Sequence, residues 1–458
     1  MIITLDEPIK LLNLLNECLK PKIIEKRNFG EVFTPVKFIN ESMLQDIENY
    51  YCNKTGNNIW ENENMKWFDP AAGMGNYPIC IYYKLLEGLS YKFPDLNDRK
   101  RHIIENQLYM GELNVKNCFI IKQIFNINNE YKLNLYEGDA LEIDIKKEFG
   151  INKFDIIIGN PPYNEEFNNN SATPLYNKFI DYFVDKCNIL SFIIPSRWFA
   201  GGKGLDKFRK QMLNRKDINF IKHINNASSI FGNFVDIKGG VNYFLIDKDY
   251  TGLCSYNNTL IDLTKYDILV ESKYYDIIDK LMAYKSITDI YIGRYFGVES
   301  NDKRLIDKDT IDKAKLNDYI TCYVSQQKGN KKYIDKKTIL RDTNFYKVIT
   351  PIAAHSGKSG FGNIFIGLID EIHTGSYNSF KTKTLDEAKS LLSYLNCKLP
   401  HFMLMLRKIS LNISGDTCKW IPLPPLDRIW NNDDIYQYFK LNADEIKLIK
   451  ETQIKGYI

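Results

Sequence analysis

The sequence predicts an α/β protein: a doubly wound, Rossmann-like parallel sheet followed by a second, mixed α+β region. From about Glu31 to Asp249, short apolar runs alternate with helical patterns, as in a sheet that is covered by helices on both faces. The apolar run at 154–158, closed by Gly159, is typical of a buried parallel strand. Beyond about Tyr250 the alternation is lost, and lysine-rich loops and turns interrupt short strands.

The individual elements follow from the same alternation. Parallel strands are predicted at Met65–Phe68, Leu108–Met110, Asn134–Tyr136, Phe154–Ile158 and Leu190–Ile194. Antiparallel edge strands are expected at Phe220–Ile224 and Val241–Ile246, and helices at Pro78–Leu89, Val115–Phe125 and Tyr176–Cys187. A domain boundary is expected near 250–290. The resulting division is an N-terminal helical extension at 1–28, a first domain at 29–255 and a second at 256–458.

Composition favours a soluble cytoplasmic protein. The 458 residues exceed one ordinary domain, and 44% hydrophobic with 26% charged residues is the usual globular balance. No run approaches the roughly 18 apolar residues of a membrane span, and the amino terminus is not a signal peptide. The nine cysteines are scattered without a Cys-x-x-Cys pair, so neither a metal site nor a disulfide framework is expected. The net charge of +4 permits a nucleic-acid partner without proving one.

A turn of small residues follows the first predicted strand. Asp69 ends the strand, residues 71–75 read Ala-Ala-Gly-Met-Gly, and Asn76 opens the next helix. Small side chains let a ligand approach the backbone, and a helix start offers free N–H groups. Phosphate-binding loops are the commonest rival interpretation, but the Gly-Lys-Ser/Thr ending of an ATP loop is absent. The turn therefore predicts a site for a nucleoside without a triphosphate.

The next two strands end in acidic residues. Glu112, followed by Leu113, is suited to accept hydrogen bonds from both hydroxyls of a ribose, although alone it also fits a solvated carboxylate at a helix start. Asp139, followed by Ala140, is suited to accept from an adenine amino group, or else caps the next helix. Ligands of α/β sheets bind at the carboxyl ends of strands, where these residues lie.

Asn160-Pro161-Pro162-Tyr163 follows the fourth strand at the same edge. The prolines fix φ and donate no hydrogen bond, so the carbonyls of Asn160 and Pro161 have no helix or ladder to join. Together with the Asn160 amide oxygen they form a stiff cluster of acceptors beside an aromatic ring. Such a cluster suits a planar group that carries an exocyclic NH2, and an ordinary Pro-Pro turn is the alternative.

These motifs form an ordered series along the chain. In order they are Gly30-Glu31-Val32-Phe33-Thr34-Pro35, Asp69-Pro70-Ala71-Ala72-Gly73-Met74-Gly75, Glu112, Asp139 and Asn160-Pro161-Pro162-Tyr163. The series resembles the γ group of S-adenosylmethionine-dependent N6-adenine DNA methyltransferases of restriction–modification systems, and the resemblance covers about residues 28–250 well. Met74-Gly75-Asn76-Tyr77 departs from the commoner Ser-Gly-Asn-Phe. The gap between Asp69 and Glu112 is longer than usual and is expected to hold an extra helix at Asp98–Asn106.

The resemblance implies a methyltransferase sheet, a C-terminal target-recognition domain and S-adenosyl-L-methionine as the cofactor. The implied cofactor residues are Phe33, Thr34, Pro35, Asp69, Ala71, Gly73, Gly75, Asn76, Glu112, Leu113, Asp139, Ala140 and Asn160. The implied catalytic residues are Asn160, Pro161, Pro162 and Tyr163. In this scheme Asn160 and the Pro161 carbonyl hold the target amino group, while Tyr163 stacks on a flipped base. No metal is required.

Double-stranded DNA is the implied partner. An adenine within a duplex must be flipped out, and stacking on an aromatic ring returns about 1–3 kcal/mol of the cost. DNA contacts are expected from Tyr163, Arg197, Trp198, Lys203, Phe231, Gln326, Gln327, Lys328, Lys331 and Lys358. Phe231, with Phe234 as the fallback, is the candidate for an edge contact with the base, although either also fits a core aromatic. The polar residues equally fit a solvated surface. A separately encoded restriction endonuclease is a further candidate partner, and a monomer is favoured.

Other functions stay open at this point. A methyltransferase acting on a glutamine of translation release factors shares Asn-Pro-Pro-Tyr, but lacks the Phe-Thr-Pro element and a large C-terminal domain. Methylation of an RNA base is disfavoured for similar reasons, and cytosine N4 methylation more often goes with Ser in place of Asn160. A combined restriction enzyme would need a nuclease domain before Gly30. A DNA-specificity protein without catalysis is disfavoured because every group needed for methyl transfer is present.

Overall fold

A computed structural model describes residues 5–8, 10, 11, 14, 33–164, 173–201, 204–232, 237–324, 330–354 and 359–457. The chain forms two compact units, unit 1 at residues 1–272 and unit 2 at residues 273–458. Most of the predicted N-terminal extension, the Gly30–Val32 part of the first motif, Lys203 and Phe234 lie outside the described residues. Among the residues described, no helix is both long and apolar enough to cross a membrane.

Unit 1 is built on a sheet that has nine strands in the described part of the chain. The strands are β1 (Trp67–Asp69), β2 (Leu108–Glu112), β3 (Asn134–Glu137), β4 (Phe154–Gly159), β5 (Cys187–Pro195), β6 (Ile218–Ile224), β7 (Val241–Asp247), β8 (Cys254–Tyr256) and β9 (Thr259–Ile261). Their spatial order is β3-β2-β1-β4-β5-β7-β6-β8-β9. Strands β1 to β5 pair in parallel, and β7 is antiparallel to both of its neighbours, β5 and β6. The chain order reverses between β1 and β4, which is where such sheets open a ligand crevice.

Helices pack around this sheet. The α-helices described in unit 1 are Val36–Phe38, Gln45–Thr55, Asn76–Gly88, Leu96–His102, Val115–Asn126, Ile145–Phe149, Tyr176–Phe183, Asp206–Leu213 and Ser228–Phe231, with π-helical segments at Ile39–Leu44 and Ile103–Gln107. The last two elements before β2, Leu96–His102 and Ile103–Gln107, confirm the extra helix that the long gap between motifs predicted.

The central strands carry the core. Ile156, Ile157 and Ile158 of β4 are fully buried, as a continuous apolar run in a parallel sheet requires. On neighbouring strands the rings of Phe68 and Phe154 stack with centroids 4.6 Å apart. Apolar burial of this kind, rather than backbone propensity, fixes where β1 and β4 lie and therefore where their carboxyl ends meet.

Three sequence expectations differ from the structure. The helix predicted at Tyr176–Cys187 ends at Phe183, because Cys187 is the first residue of β5 and pairs with Phe154 of β4. The two predicted edge strands do not both run against the sheet: β6 is antiparallel to β7 and therefore has the direction of β5, while β7 and, further out, β9 run the opposite way. The boundary expected at 255/256 falls within β8, which pairs with β6 and belongs to the sheet of unit 1.

Unit 2 is a mixed α+β unit with two sheets among its described residues. One sheet has the order β10-β16-β13-β14 and the other β12-β11-β15, where the strands are β10 (Tyr291–Gly293), β11 (Tyr319–Tyr323), β12 (Lys331–Asp335), β13 (Tyr346–Pro351), β14 (Phe365–Gly367), β15 (Glu371–His373) and β16 (Tyr377–Thr382). Its α-helices are Tyr275–Met282, Leu385–Leu395, Lys398–Arg407, Gly415–Cys418, Asn432–Tyr438 and Ala443–Glu451. The predicted fold class, a large mostly parallel α/β sheet followed by a mixed region, is confirmed.

Candidate active site

A cavity of about 930 Å3, open to solvent, lies at the carboxyl ends of β1, β2, β3 and β4. The lining residues are Phe33, Thr34, Pro70, Ala71, Ala72, Gly73, Asn76, Tyr77, Glu112, Leu113, Gly138, Asp139, Ala140, Asn160, Pro161, Pro162, Tyr163, Leu175 and Phe179. The structure thus brings the four predicted strand tips and the Phe33-Thr34 element to one place.

The loop after β1 depends on glycine at two positions. Gly73 has a φ of +57° and Gly75 a φ of +93°, values that L side chains adopt only with strain. A Cβ on Gly73 would lie 3.0 Å from Cε1 of Phe33. Gly75 is the residue that precedes the helix Asn76–Gly88 and turns the chain into it. The loop can therefore lie against a ligand only because these residues have no side chain.

Backbone hydrogen bonds join the strand tips to each other. The N–H of Ala72 donates to the carbonyl of Gly111 at 2.9 Å, and the N–H of Gly138 donates to the carbonyl of Glu112 at 3.0 Å. These bonds hold the loop after β1 against β2, and the loop after β3 against β2. The two loops and the end of β2 form one wall of the cavity.

Glu112 is a buried residue whose two carboxylate oxygens each accept a hydrogen bond from the backbone. Its side chain accepts the N–H of Gly73 at 2.6 Å through Oε2 and the N–H of Asn114 at 2.7 Å through Oε1, and the residue is 8% exposed. The alternative of a freely solvated carboxylate is therefore wrong. Glu112 instead fixes the Gly73 loop and presents negative charge at the cavity wall.

Asp139 lines the cavity and also caps a helix. Its Oδ1 accepts the N–H of Leu141 at 2.9 Å and so begins the short helix Ala140–Glu142. The two sequence interpretations, a helix cap and a ligand contact, are compatible in this geometry. The neighbouring Leu113 is 60% exposed, which leaves an apolar surface beside the two carboxylates.

Three predicted cofactor residues lie behind the lining. Asp69 is 2% exposed, and its Oδ1 accepts the N–H of Ala71 at 3.1 Å. Burial raises the pKa of Asp69 well above its ordinary range, since a charged carboxylate is poorly solvated there. Pro35 precedes the helix Val36–Phe38, and Gly75 precedes the helix Asn76–Gly88. None of the three lines the cavity, so the structure places them as supports of the wall.

Thr34 connects the first motif to the Asn-Pro-Pro-Tyr motif. The Nδ2 of Asn160 donates to Thr34 Oγ1 at 3.1 Å, and the Nδ2 of Asn76 donates to the Thr34 carbonyl at 2.9 Å. Thr34 is 2% exposed, and the hydroxyl of Tyr77 lies 3.4 Å from its Oγ1. Residues from three distant parts of unit 1 therefore meet at one threonine.

The aromatic side of the cavity includes residues that the motifs did not identify. Tyr163 is 7% exposed, and burial raises the pKa of its hydroxyl. Its carbonyl accepts the N–H of Leu175 at 3.1 Å, and Leu175 and Phe179 complete the lining. Their i, i+4 spacing was visible in the sequence, but it is the same spacing that a helix uses to face the core.

Two predicted DNA contacts in unit 1 are corrected. The side chain of Trp198 is completely buried, with its ring 4.8 Å from that of Phe199 and 5.7 Å from that of Phe208, so it cannot contact a phosphate. Phe231 is 7% exposed and belongs to the apolar core, which is the alternative that the sequence left open. Arg197 is exposed and stays available for a phosphate.

Of the predicted contacts in unit 2, only Lys331 lies among the described residues. Its Nζ is 3.6 Å from Oε1 of Glu371 and 4.9 Å from the centre of the Tyr323 ring. The other predicted contacts, Gln326, Gln327, Lys328 and Lys358, lie outside the described residues, so DNA contact by this region stays a prediction. No group of three or more His, Cys, Asp or Glu side chains suited to a metal ion occurs in the part of the chain that the structure describes.

The fold brings the loops after β1, β2 and β3 and the Asn-Pro-Pro-Tyr motif to one cavity at the sheet edge, and comparisons with known proteins show what the chain is similar to. Residues 93–231 match the family model described as Eco57I restriction-modification methylase. The chain is 25% identical to an uncharacterized adenine-specific methylase of Mycoplasma pneumoniae over 352 residues, which cover 58% of this chain and 80% of that protein. It is 23% identical over 368 residues to the type II restriction enzyme and methyltransferase RM.Eco57I of Escherichia coli, covering 62% of this chain and 36% of that one.

A solved structure agrees in fold. The ATP-dependent type ISP restriction-modification enzyme LlaBIII, bound to DNA, superposes with a TM-score of 0.50 at 13% identity, covering 96% of this chain and 41% of that one. This chain therefore spans well under half of that enzyme and of RM.Eco57I. The predicted resemblance to adenine-specific methyltransferases of restriction–modification systems is confirmed by the family match and the two relatives, which also support DNA methylation as the function.

Proposed function

We propose that the protein is a site-specific DNA methyltransferase that transfers a methyl group from S-adenosylmethionine to the N6 amino group of a flipped adenine. The observation that carries the proposal is that Asn160, Pro161 and Tyr163 line the same cavity as Glu112 and the Gly73 loop. An acceptor cluster for an amino group and a nucleoside-binding wall are thus parts of one site.

The residues present fit S-adenosylmethionine. The loop at Gly73 leaves room where a Cβ would contact Phe33, and the buried Glu112 carboxylate suits ribose hydroxyls. Asp139, Ala140 and Leu113 would hold the adenine ring, and Thr34 with the 71–75 loop would hold the methionine part. When bound, the cofactor supplies an electrophilic methyl group on its sulfonium.

The protein's own contribution to the reaction is orientation. The adenine amino nitrogen is a weak nucleophile because its lone pair is delocalised into the ring. Acceptance of its two hydrogens by the Asn160 amide oxygen and the Pro161 carbonyl favours a pyramidal nitrogen and directs the lone pair at the methyl group. Positioning and electrostatics of this kind account for large rate effects without a strong base.

DNA is the proposed substrate, with the adenine turned out of the helix so that its amino group reaches the cavity. Stacking on Tyr163 stabilises the extruded base by about 1–3 kcal/mol. Unit 2 is the proposed target-recognition part, and a separately encoded endonuclease is a candidate partner. The names of RM.Eco57I and of the matched family associate both with restriction–modification, which supports this context.

Methyl incorporation tests the proposal directly. Radiolabelled S-adenosylmethionine is offered with duplex DNA, RNA or a translation release factor, and label is expected in DNA adenine. The Asn160→Ala variant should lose methylation by at least about 100-fold while binding the cofactor with a Kd within about threefold of wild type. Asn188→Ala, at an exposed residue of β5, is the control. Label in protein but not in DNA, or a Kd that rises in parallel with the loss of methylation, would contradict the proposal.

A further inference from the structure

An asparagine amide has two different sides. The Oδ1 side accepts hydrogen bonds and the Nδ2 side donates them, and rotation by half a turn about the last side-chain bond exchanges the two. The role of Asn160 requires the acceptor side to face the target amino group. A rotated amide would place its Nδ2 donor against the target amino group, which is itself a donor. Some feature of the site must therefore select one orientation.

A short chain of hydrogen bonds leads away from Asn160. Its Nδ2 lies 3.1 Å from Thr34 Oγ1, Thr34 Oγ1 lies 3.4 Å from the Tyr77 hydroxyl, and that hydroxyl lies 3.1 Å from Sδ of Met43. Thr34 and Tyr77 are 2% and 3% exposed, and Met43 is fully buried. This low exposure favours donation of each hydroxyl proton to a neighbour within the chain of bonds.

The sulfur at the end of this chain gives it a direction. A thioether has no proton, so Met43 can only accept, and Tyr77 must be the donor in that contact. The Tyr77 hydroxyl is within donating distance of Thr34 Oγ1 as well, but it has one proton, and donation at the shorter contact, 3.1 Å to Met43 against 3.4 Å to Thr34, leaves the Tyr77 oxygen to accept from Thr34. Thr34 thus uses its only proton on Tyr77 and presents a lone pair to Asn160.

We propose that Thr34 and Tyr77 are positioning residues that hold the Asn160 amide with Nδ2 towards Thr34 and Oδ1 towards the target amino group. The inference rests on the proposed function. It goes beyond that function because it assigns a positioning role to two residues outside the Asn-Pro-Pro-Tyr motif. The backbone of Thr34 is separately held by Asn76, so removal of the Tyr77 hydroxyl leaves the position of Thr34 unchanged.

The test is the rate of the methyl-transfer step in a single turnover at saturating cofactor and DNA. Tyr77→Phe should lower this rate by about 5- to 20-fold with a cofactor Kd within about threefold of wild type, because the freed threonine proton then accommodates either amide orientation. Tyr176→Phe is the matched control, since this buried tyrosine makes no hydrogen bond through its hydroxyl to the described residues. The control should keep the wild-type rate.

A second background separates positioning from general damage. An aspartate has acceptor oxygens on both sides, so in Asn160→Asp the added Tyr77→Phe change should alter the rate by less than about twofold. The inference would be overturned if Tyr77→Phe lowered the rate equally in the wild type and in Asn160→Asp, or if it did not lower the rate of the wild type. If Asn160→Asp is inactive, the comparison of Thr34→Ser with Thr34→Val decides. Thr34→Ser keeps a hydroxyl and should keep the wild-type rate, whereas an equal loss of rate in both variants overturns the inference. Absence of DNA methylation by the wild type would instead refute the proposed function.

Discussion

Gly159 and Asp69 are so close that no side chain fits between them. A Cβ on Gly159 would lie 2.4 Å from Oδ1 of Asp69, the same oxygen that accepts the N–H of Ala71. The last residue of β4 therefore has to be glycine for the carboxylate at the end of β1 to hold its loop. β1 and β4, the strands on either side of the crevice, therefore pack together here with no space for a side chain on β4.

Gly159→Ala is expected to displace Asp69 and loosen the Ala71 loop. Overpacking of this kind costs about 1–3 kcal/mol, so the urea midpoint should fall and the Kd for S-adenosylmethionine should rise at least about tenfold. Calorimetry and urea denaturation measure the two effects. Gly415→Ala, where a Cβ would make only ordinary contact at 3.4 Å, should change neither. Unchanged cofactor affinity in Gly159→Ala would show that Asp69 does not support the loop.

Glu112→Gln is expected to weaken cofactor binding and also lower stability. The two backbone N–H groups that now meet carboxylate oxygens would meet a neutral amide, and one of them would face an NH2 group. Hydrogen bonds to charged groups contribute about 1.5–3 kcal/mol, so the cofactor Kd should rise at least about tenfold. Titration calorimetry and thermal melting give both quantities. The control is Glu137→Gln at the exposed end of β3, and an equal effect there would argue against a specific role.

Substitutions of Trp198 and Arg197 are expected to affect different properties: protein stability for Trp198 and DNA binding for Arg197. Trp198→Ala removes a fully buried ring and should lower the free energy of unfolding by about 3–5 kcal/mol. Arg197→Ala should change it by less than about 0.5 kcal/mol but weaken DNA binding and reduce the salt slope by about one. Urea denaturation and DNA titration at several salt concentrations measure the pair. Wild-type DNA affinity and salt slope in Arg197→Ala would remove Arg197 from the interface.

Because of Lys347, the stability of unit 2 is expected to rise with pH in mildly alkaline solution. It is fully buried, donates to the carbonyls of Leu368 and Glu371 at 2.8 and 2.6 Å, and burial lowers its pKa to about 8. Between pH 8 and the unfolded pKa of about 10.4, the unfolded chain keeps a proton that the folded chain has lost, so stability rises with pH.

The comparison that isolates this effect is between wild type and Lys347→Met. The difference between their urea midpoints should move in favour of wild type from pH 8 to pH 10. Lys381→Met, at a lysine whose side chain is 47% exposed, should show no such trend relative to wild type. A constant difference between wild type and Lys347→Met over this range would contradict the lowered pKa.

Much of the site could be predicted because it lies at strand ends. Carboxyl ends of adjacent parallel strands must meet, so Glu112, Asp139 and Asn160 could be placed together from their order along the chain. The sequence-based predictions that failed concern the direction in which a side chain points. Trp198 follows an arginine in a polar-looking turn, and nothing in that pattern shows that its ring turns inward. Leu175 and Phe179 carry the apolar spacing that core helices share.

The hydrogen-bond chain at Tyr77 could not be predicted at all. Met43 lies in the π-helical segment Ile39–Leu44, where an extra residue per turn changes which side chain faces the sheet. No residue pattern identifies such a segment. The partner of Tyr77 depends on that local winding, whereas the position of Glu112 depends only on the end of a strand.

The backbone bonds from Ala72 to Gly111 and from Gly138 to Glu112 have a consequence for how such a protein can change. They use main-chain atoms that every residue other than proline provides on the donor side. Apart from the glycines and Glu112, side chains along these loops can therefore be substituted without loss of these two bonds. In a pocket built this way, new side-chain interactions can arise without a change in the backbone that forms its wall.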